Sequence, residues 1–278
     1  MIRLLRIEFI KLWNSKASRF LIISYFVLII AIALIAAIKF DIGPIKFHLA
    51  EQGIFNFPYI WHLNTWIAAF LKLFFAIVIV SMTANEYSNK TLKQNLIDGL
   101  SKKEFILSKF LTVVSFSLVS TVFIFAVSLT LGLFYSDFNE ASIIFSDLEY
   151  LLAYFVKLVG FFSFCLFLGV LIKRSAFALG FLILWWIIVE NLGIRFLVWW
   201  MFGKDASGEV MKYLPLESMA NLIKEPVTRF NAVKSVASQI GEEFVKDYGV
   251  HWYELLIVLG WTTLFIYFSY LLLKKRDL

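Results

Sequence analysis

The chain has 278 residues, 61% of them hydrophobic and 17% charged, with 31 Phe, 11 Tyr and 9 Trp; soluble domains hold roughly 45–50% apolar and about 25% charged residues, so lipid must be much of the solvent. The net charge of +6 points to nucleic acid only until the basic residues are mapped, because they follow the flanks of apolar runs. A single cysteine, Cys165, and three histidines exclude an intrachain disulfide and a cysteine zinc cluster and leave no His-rich metal site.

Taken in chain order, residues 2–14 place Ile2, Leu5, Phe9, Leu12 and Trp13 on one helical face and Arg3, Lys11 and Asn14 on the other. That is the pattern of a helix lying among lipid headgroups. The first apolar run, 20–38, is longer than a signal-peptide core and ends at Lys39 without a small-residue cleavage site, so it reads as a retained span. Runs of about 20 apolar residues cross a hydrocarbon core about 30 Å thick, and five more qualify: 63–84, 110–135, 150–172, 176–202 and 255–273. Segments 1–19, 85–109, 173–175 and the residues beyond 273 hold fifteen Lys and Arg against five Asp and Glu; the opposite flanks hold eight against fourteen. Basic flanks stay inside. The expectation is therefore an all-α integral membrane protein, one domain over 1–278 with six transmembrane helices, both termini cytoplasmic and the acidic flanks external. The membrane expected is the bacterial cytoplasmic (inner) one.

Span two carries Lys72, about 13 Å below the outer surface at helical rise. The loop after it, 85–109, is more elaborate than a connector requires. Leu92 and Leu96 stand one turn apart on a short helix, Gly99 suits its stop, and Ser101 with Glu104 forms a capping box that starts the next helix. Such a helix-Gly-helix hairpin, with five lysines and a small apolar ridge, reads as a docking element or as a solvated basic loop that serves topology.

In order, Glu86, Thr91, Leu92, Leu96, Leu100, Ser101, Lys102, Phe105 and Lys109 resemble the loop after span two of ABC type-2 transporter permeases, the membrane subunits of ATP-binding cassette exporters. The sequence departs from that pattern at Lys90, where Gly is usual, at Gly99, where Pro is common, and at Lys102, where Arg is usual. The outline is similar as well: a basic N-terminal segment, six spans, a minimal Lys173-Arg174-Ser175 turn and an enlarged external segment before span six. The resemblance implies an interfacial elbow helix over 1–19 and a cytoplasmic coupling hairpin at 85–109. Glu86, Thr91, Leu92, Leu96, Leu100, Ser101, Lys102 and Phe105 would then transmit the closure of an ATPase. It further implies a second permease copy or paralogue, membrane lipids and separate ABC ATPase subunits as partners.

No G-x-x-x-x-G-K-S/T phosphate loop occurs in the chain. ATP and magnesium are thus expected in the partner ATPase, with no cofactor, metal or enzymatic activity in this chain and no nucleic-acid partner. The implied function is export of a lipid, peptide or other amphipathic solute; the alternative is a permease-like subunit of an ATP-driven mechanical or signalling complex. An intramembrane enzyme would need an HExxH, a paired-glutamate or a Ser/His motif within a span, and none is present. A transporter driven by protons through Glu190 would more readily show an internal repeat.

Beyond the hairpin, 139–147 is a short acidic external loop. Span four carries Lys157 and Cys165, and span five carries Trp185, Trp186, Glu190, Gly193, Arg195, Trp199 and Trp200. Lys72, Lys157 and Glu190 all fall in the outer half of the membrane, where each charge costs about 2.5–3.5 kcal/mol unless it meets protein or water. Either Glu190 neutralises a lysine between helices and the lysines snorkel outward, or the three line a vestibule for an anionic or amphipathic solute. Gly193 permits a break in span five or close helix packing. The external segment 203–254 is too long for a plain connector. Within it Phe230, Val233, Val236, Ala237, Ile240, Phe244 and Val245 recur at helical spacing, which predicts an amphipathic helix. His48 with Glu51, and His251 with Glu254, have helix-compatible spacing but no visible third metal ligand.

Overall fold

The computed structural model describes residues 2–38, 40–42, 45–47, 53–229 and 247–276. The amphipathic helix expected over 230–245 and the His48–Glu51 pair lie outside the described residues. Helix α1 (Ile2–Asn14) is divided from α2 (Lys16–Ala37) at Ser15, whose hydroxyl accepts the Ser18 N–H at 3.4 Å and starts the second helix. A short antiparallel ribbon follows, β1 (Phe40–Ile42) against β2 (Ile45–Phe47), with Phe40 opposite Phe47. It is a small departure from an otherwise helical chain.

The second apolar run is two helices, α3 (Tyr59–Phe70) and α4 (Lys72–Ser88), bent by 44° at Leu71. Next come α5 (Thr91–Ile97), the long α6 (Lys102–Tyr135), the single turn α7 (Ala141–Ile144) and α8 (Glu149–Ile172). The fifth run continues without a break from α9 (Ser175–Leu184) through a π-helix (Trp185–Ile194) to α10 (Arg195–Phe202). Two short helices, α11 (Lys204–Met211) and α12 (Pro215–Asn221), and the last helix, α13 (Trp252–Lys275), complete the described fold. Among the described residues five stretches are long and apolar enough to cross a membrane, and there are six if the bent α3–α4 pair is one span. This fits an integral membrane protein.

Helix α8 is the core. It is apolar on nearly all faces, which suits a helix enclosed by protein or by lipid, and here protein encloses it: 78% of its most apolar stretch is buried, against 11% for α2 and 17% for the fifth run. Small residues on α8 let neighbours approach. A Cβ on Gly160 would lie 2.7 Å from Val258 Cγ1 on α13, and one on Gly169 would lie 3.0 Å from Thr83 Cβ on α4. Midway along the bundle the hydroxyls of Tyr25, Ser120 and Tyr154 bond one another and join α2, α6 and α8.

Both described ends of the chain lie at one end of the bundle, hereafter basal; the other end is distal. Lys102 at the start of α6 donates to the carbonyls of Lys274 and Arg276, at 3.3 and 2.9 Å. Arg276 in turn donates to the carbonyls of Val170 and Leu171 at the end of α8. Cations thus close the C-terminal carbonyls of two helices, where the helix dipole favours them.

Candidate functional site

The basal end is organised around Glu86, on the last turn of α4. One of its oxygens accepts from Lys109 and Lys11, both at 2.9 Å; the other accepts from Thr91 at 2.8 Å and Asn95 at 3.2 Å. Lys109 also meets Glu8 at 2.6 Å and is fully buried. The result is a neutral cluster of two carboxylates and two ammonium groups. It joins α1 through Glu8 and Lys11, α4 through Glu86, α5 through Thr91 and Asn95, and α6 through Lys109. Around Lys11 partial burial opposes the charge, but the hydrogen bond to Glu86 and the nearby carboxylates outweigh it and hold the ammonium above its ordinary 10.5.

The hairpin has the local geometry its sequence encodes. Ser101 Oγ accepts the Glu104 N–H at 3.1 Å while Glu104 accepts the Ser101 N–H at 2.9 Å, completing the capping box. At the end of α5 the N–H of Leu100 reaches the Asn95 carbonyl and that of Gly99 reaches Leu96, around Gly99 at φ +97°. This is a Schellman closure, which a residue without Cβ makes at no steric cost. Lys90, which opens α5, also sits in the left-handed region at φ +56°.

The residues expected to couple divide by placement. Glu86 and Thr91 belong to the Glu86 cluster, the Phe105 ring lies 5.2 Å from Lys109 Nζ, and Leu92, like Phe105 1% exposed, is buried in the hydrophobic core. Leu96 and Leu100 are half-buried against the core, Ser101 is spent on its cap, and Lys102 is held by the end of α13. The leucine ridge is therefore the inner side of α5. Its outer face shows Lys93, Gln94 and Ile97, the last 69% exposed. Sequence reasoning missed Glu8, Lys11 and Asn95; the available signal was an acid in the otherwise basic α1.

At the distal end the three intramembrane charges do not pair with one another. Glu190 on the π-helix accepts the N–H groups of Leu216 and Glu217, both at 3.0 Å, and the Trp185 indole N–H at 2.8 Å. Lys157 on α8 donates to the Ala220 carbonyl at 3.2 Å. Helix α12 is thus held by a carboxylate at its N-terminal end and an ammonium near its C-terminal end, the signs its dipole favours. The π-turn widens the helix at the position from which Glu190 reaches α12, and Gly193 falls within it without breaking the span. Lys72, at the α3–α4 bend, lies 4.3 Å from the centre of the Phe161 ring.

Above this lies an open cleft of about 1250 Å³ between the fifth run, α11, α12 and the start of α13. Trp66, Leu192, Phe196 and Trp199 contribute aromatic and aliphatic walls, and Arg195–Glu217 at 3.5 Å and Lys224–Glu254 at 3.8 Å contribute paired charges. Lys72, Lys157 and Glu190 do not line it. His251 and Glu254 do, but together they form the capping box of α13, and His251 further meets Asp247 at 2.6 Å. Beside the cleft, His62 stacks on Tyr150 and bonds Lys224 and Arg229, and Arg229 faces the rings of Tyr59, Tyr150 and Tyr248. These contacts fasten the segment 224–229 to α3 and α8.

No curated protein matches the sequence. The family described as a protein of unknown function, DUF2705, matches residues 25–278. That match takes in all six apolar runs except the start of the first, together with the hairpin and the distal helices, and the chain belongs to the DUF2705 family.

Proposed function

We propose that the chain is the permease subunit of an ATP-binding cassette exporter, with the basal end in the cytoplasm and the nucleotide chemistry on a separate ATPase. The observation that carries this reading is the Glu86 cluster. Four helices, including the short α5, meet at one carboxylate through bonds of 2.8 to 3.2 Å. A force applied to the outer face of α5 therefore reaches α1, α4 and α6 as a unit, which is what coupling an ATPase to a bundle requires. Helix α1 serves as the elbow and 85–109 as the coupling hairpin. In the distal cleft, an aromatic side faces paired charges, a lining suited to a lipid, peptide or other amphipathic solute.

The test is purification of the full chain from its native membrane. The expected result is an associated ATPase subunit that carries a phosphate-binding loop, hydrolyses MgATP, and is lost when Ile97 is changed to Glu. A chain that purifies without any ATPase, or an ATPase that stays bound to Ile97→Glu, would overturn the reading.

A further inference from the structure

Another cavity lies on the side of the bundle between α6 and α13, apart from the distal cleft and next to the basal start of α6. It is a groove of about 520 Å³ whose walls include Lys103, Leu107, Phe110, Ile266, Tyr267 and Tyr270. The two helices present matching ladders. On α6, Lys103, Leu107 and Phe110 are spaced four and three apart; on α13, Lys274, Tyr270, Tyr267 and Thr263 are spaced four, three and four apart. Residues at these spacings share a helix face. Each ladder therefore begins with a lysine at the basal end and continues with apolar or aromatic side chains toward the middle of the bundle.

Several observations identify the occupant. The groove wall from Tyr270 to Thr262 spans eight residues of α13, about 12 Å at helical rise. One leaflet of a hydrocarbon core about 30 Å thick is about 15 Å, so the wall covers most of the depth that an acyl chain occupies in a single leaflet. Its threonine hydroxyls already donate within α13, Thr262 to Val258 and Thr263 to Leu259, and so have no proton to offer a ligand. The deep part of the groove is thus lined mainly by hydrocarbon.

The mouth has the opposite character. Among the described residues, no salt bridge or hydrogen bond engages the Lys103 ammonium, the Lys274 ammonium or the phenols of Tyr267 and Tyr270. Glu104, the nearest acid in sequence, is occupied by its own cap at Ser101. Positive charge and hydroxyl donors therefore stand at headgroup level above an apolar slot. The two features together match one ligand chemistry, a phosphate-bearing anionic head on a hydrocarbon tail.

We propose that the α6–α13 groove binds an anionic phospholipid of the basal leaflet, with an acyl chain along Leu107, Phe110 and Ile266 and the headgroup phosphate at Lys103 and Lys274. This site is separate from the distal cleft and does not depend on the exporter reading. A lipid held here bridges the helix that follows the hairpin and the helix that ends the described chain.

Native mass spectrometry of the full chain, released from nanodiscs of equal parts phosphatidylglycerol and phosphatidylcholine, provides the test. The wild type is expected to retain phosphatidylglycerol in preference to phosphatidylcholine. Lys103→Gln should reduce that preference about fivefold, since each lysine near an anionic surface contributes about that factor, and Lys103→Gln with Lys274→Gln should abolish it. Lys103→Arg should restore it. Ile266→Trp, which fills the slot while keeping the charges, should lower retention of both lipids. Equal retention of the two lipids by the wild type, or a preference unchanged in the double glutamine variant, would overturn the proposal. So would finding that Ile266→Trp splits a dimer of the chain without altering bound lipid, because the groove would then belong to a second copy.

Discussion

Lys109 is the residue on which the basal end turns. It has no exposed surface, and its ammonium sits between Glu8 and Glu86 at 2.6 and 2.9 Å. Removing one partner from a buried ion pair costs about 3–5 kcal/mol because the other charge is stranded. Lys11 still reaches both carboxylates, at 2.9 and 3.7 Å, so Lys109→Met is expected near the lower end, about 3 kcal/mol, in reversible unfolding in mixed detergent. A loss under 1 kcal/mol would show that Lys11 alone neutralises the cluster. Lys90 makes the reverse case. Its left-handed backbone, φ +56°, costs a side-chain-bearing residue roughly 1–2 kcal/mol, so Lys90→Gly should raise stability by about 1 kcal/mol in the same measurement after the unfolded-state entropy of glycine is offset.

At the scale of elements, the distal helix α12 depends on charges supplied by other helices. Glu190→Ala would leave the amides of Leu216 and Glu217 and the Trp185 indole without their acceptor, a buried loss of about 1–3 kcal/mol per unsatisfied group. The expected outcome is faster amide hydrogen exchange at 215–221, with exchange in α8 unchanged. The α8–α13 crossing rests on Gly160, where any side chain meets Val258 and Met219. Gly160→Leu should therefore separate the last helix and cost at least the 1–3 kcal/mol typical of overpacking, read as greater protease sensitivity of the described C-terminal helix.

These elements also show what the sequence made legible. Long apolar runs sufficed for the five helices long enough to cross a membrane and for the bent pair that brings them to as many as six, and Ser101, Glu104 and Gly99 sufficed for the hairpin's caps, because those signals are local. The bend at Leu71 was hidden, since no Pro or Gly marks it. The clamp on α12 was hidden for another reason: Glu190 reads as an intramembrane charge seeking a cation, whereas its partners are backbone amides 26 and 27 residues away. Likewise the spacing of Leu92 and Leu96 revealed a ridge but not which side of α5 it faces.

Across the whole molecule, a basal ion cluster, a central buried helix and a distal helix held by Glu190 and Lys157 are joined in one bundle. Two described segments touch the cluster and project exposed apolar side chains: α1, with Ile10 and Trp13, and the hairpin, with Ile97 one turn from Lys93; the coupling role proposed for the hairpin singles out Ile97. The one native cysteine, Cys165, is fully buried, so Ile97→Cys supplies a single accessible thiol. The most direct measurement is therefore thiol-specific cross-linking of Ile97→Cys in native membranes, followed by identification of the attached chain. The expected result is a cross-link to an ATPase subunit whose yield changes when MgATP is added, and none from Phe134→Cys at the distal end. Labelling of Ile97→Cys by reagents confined to the external side, or a cross-link that never captures an ATPase, would contradict it.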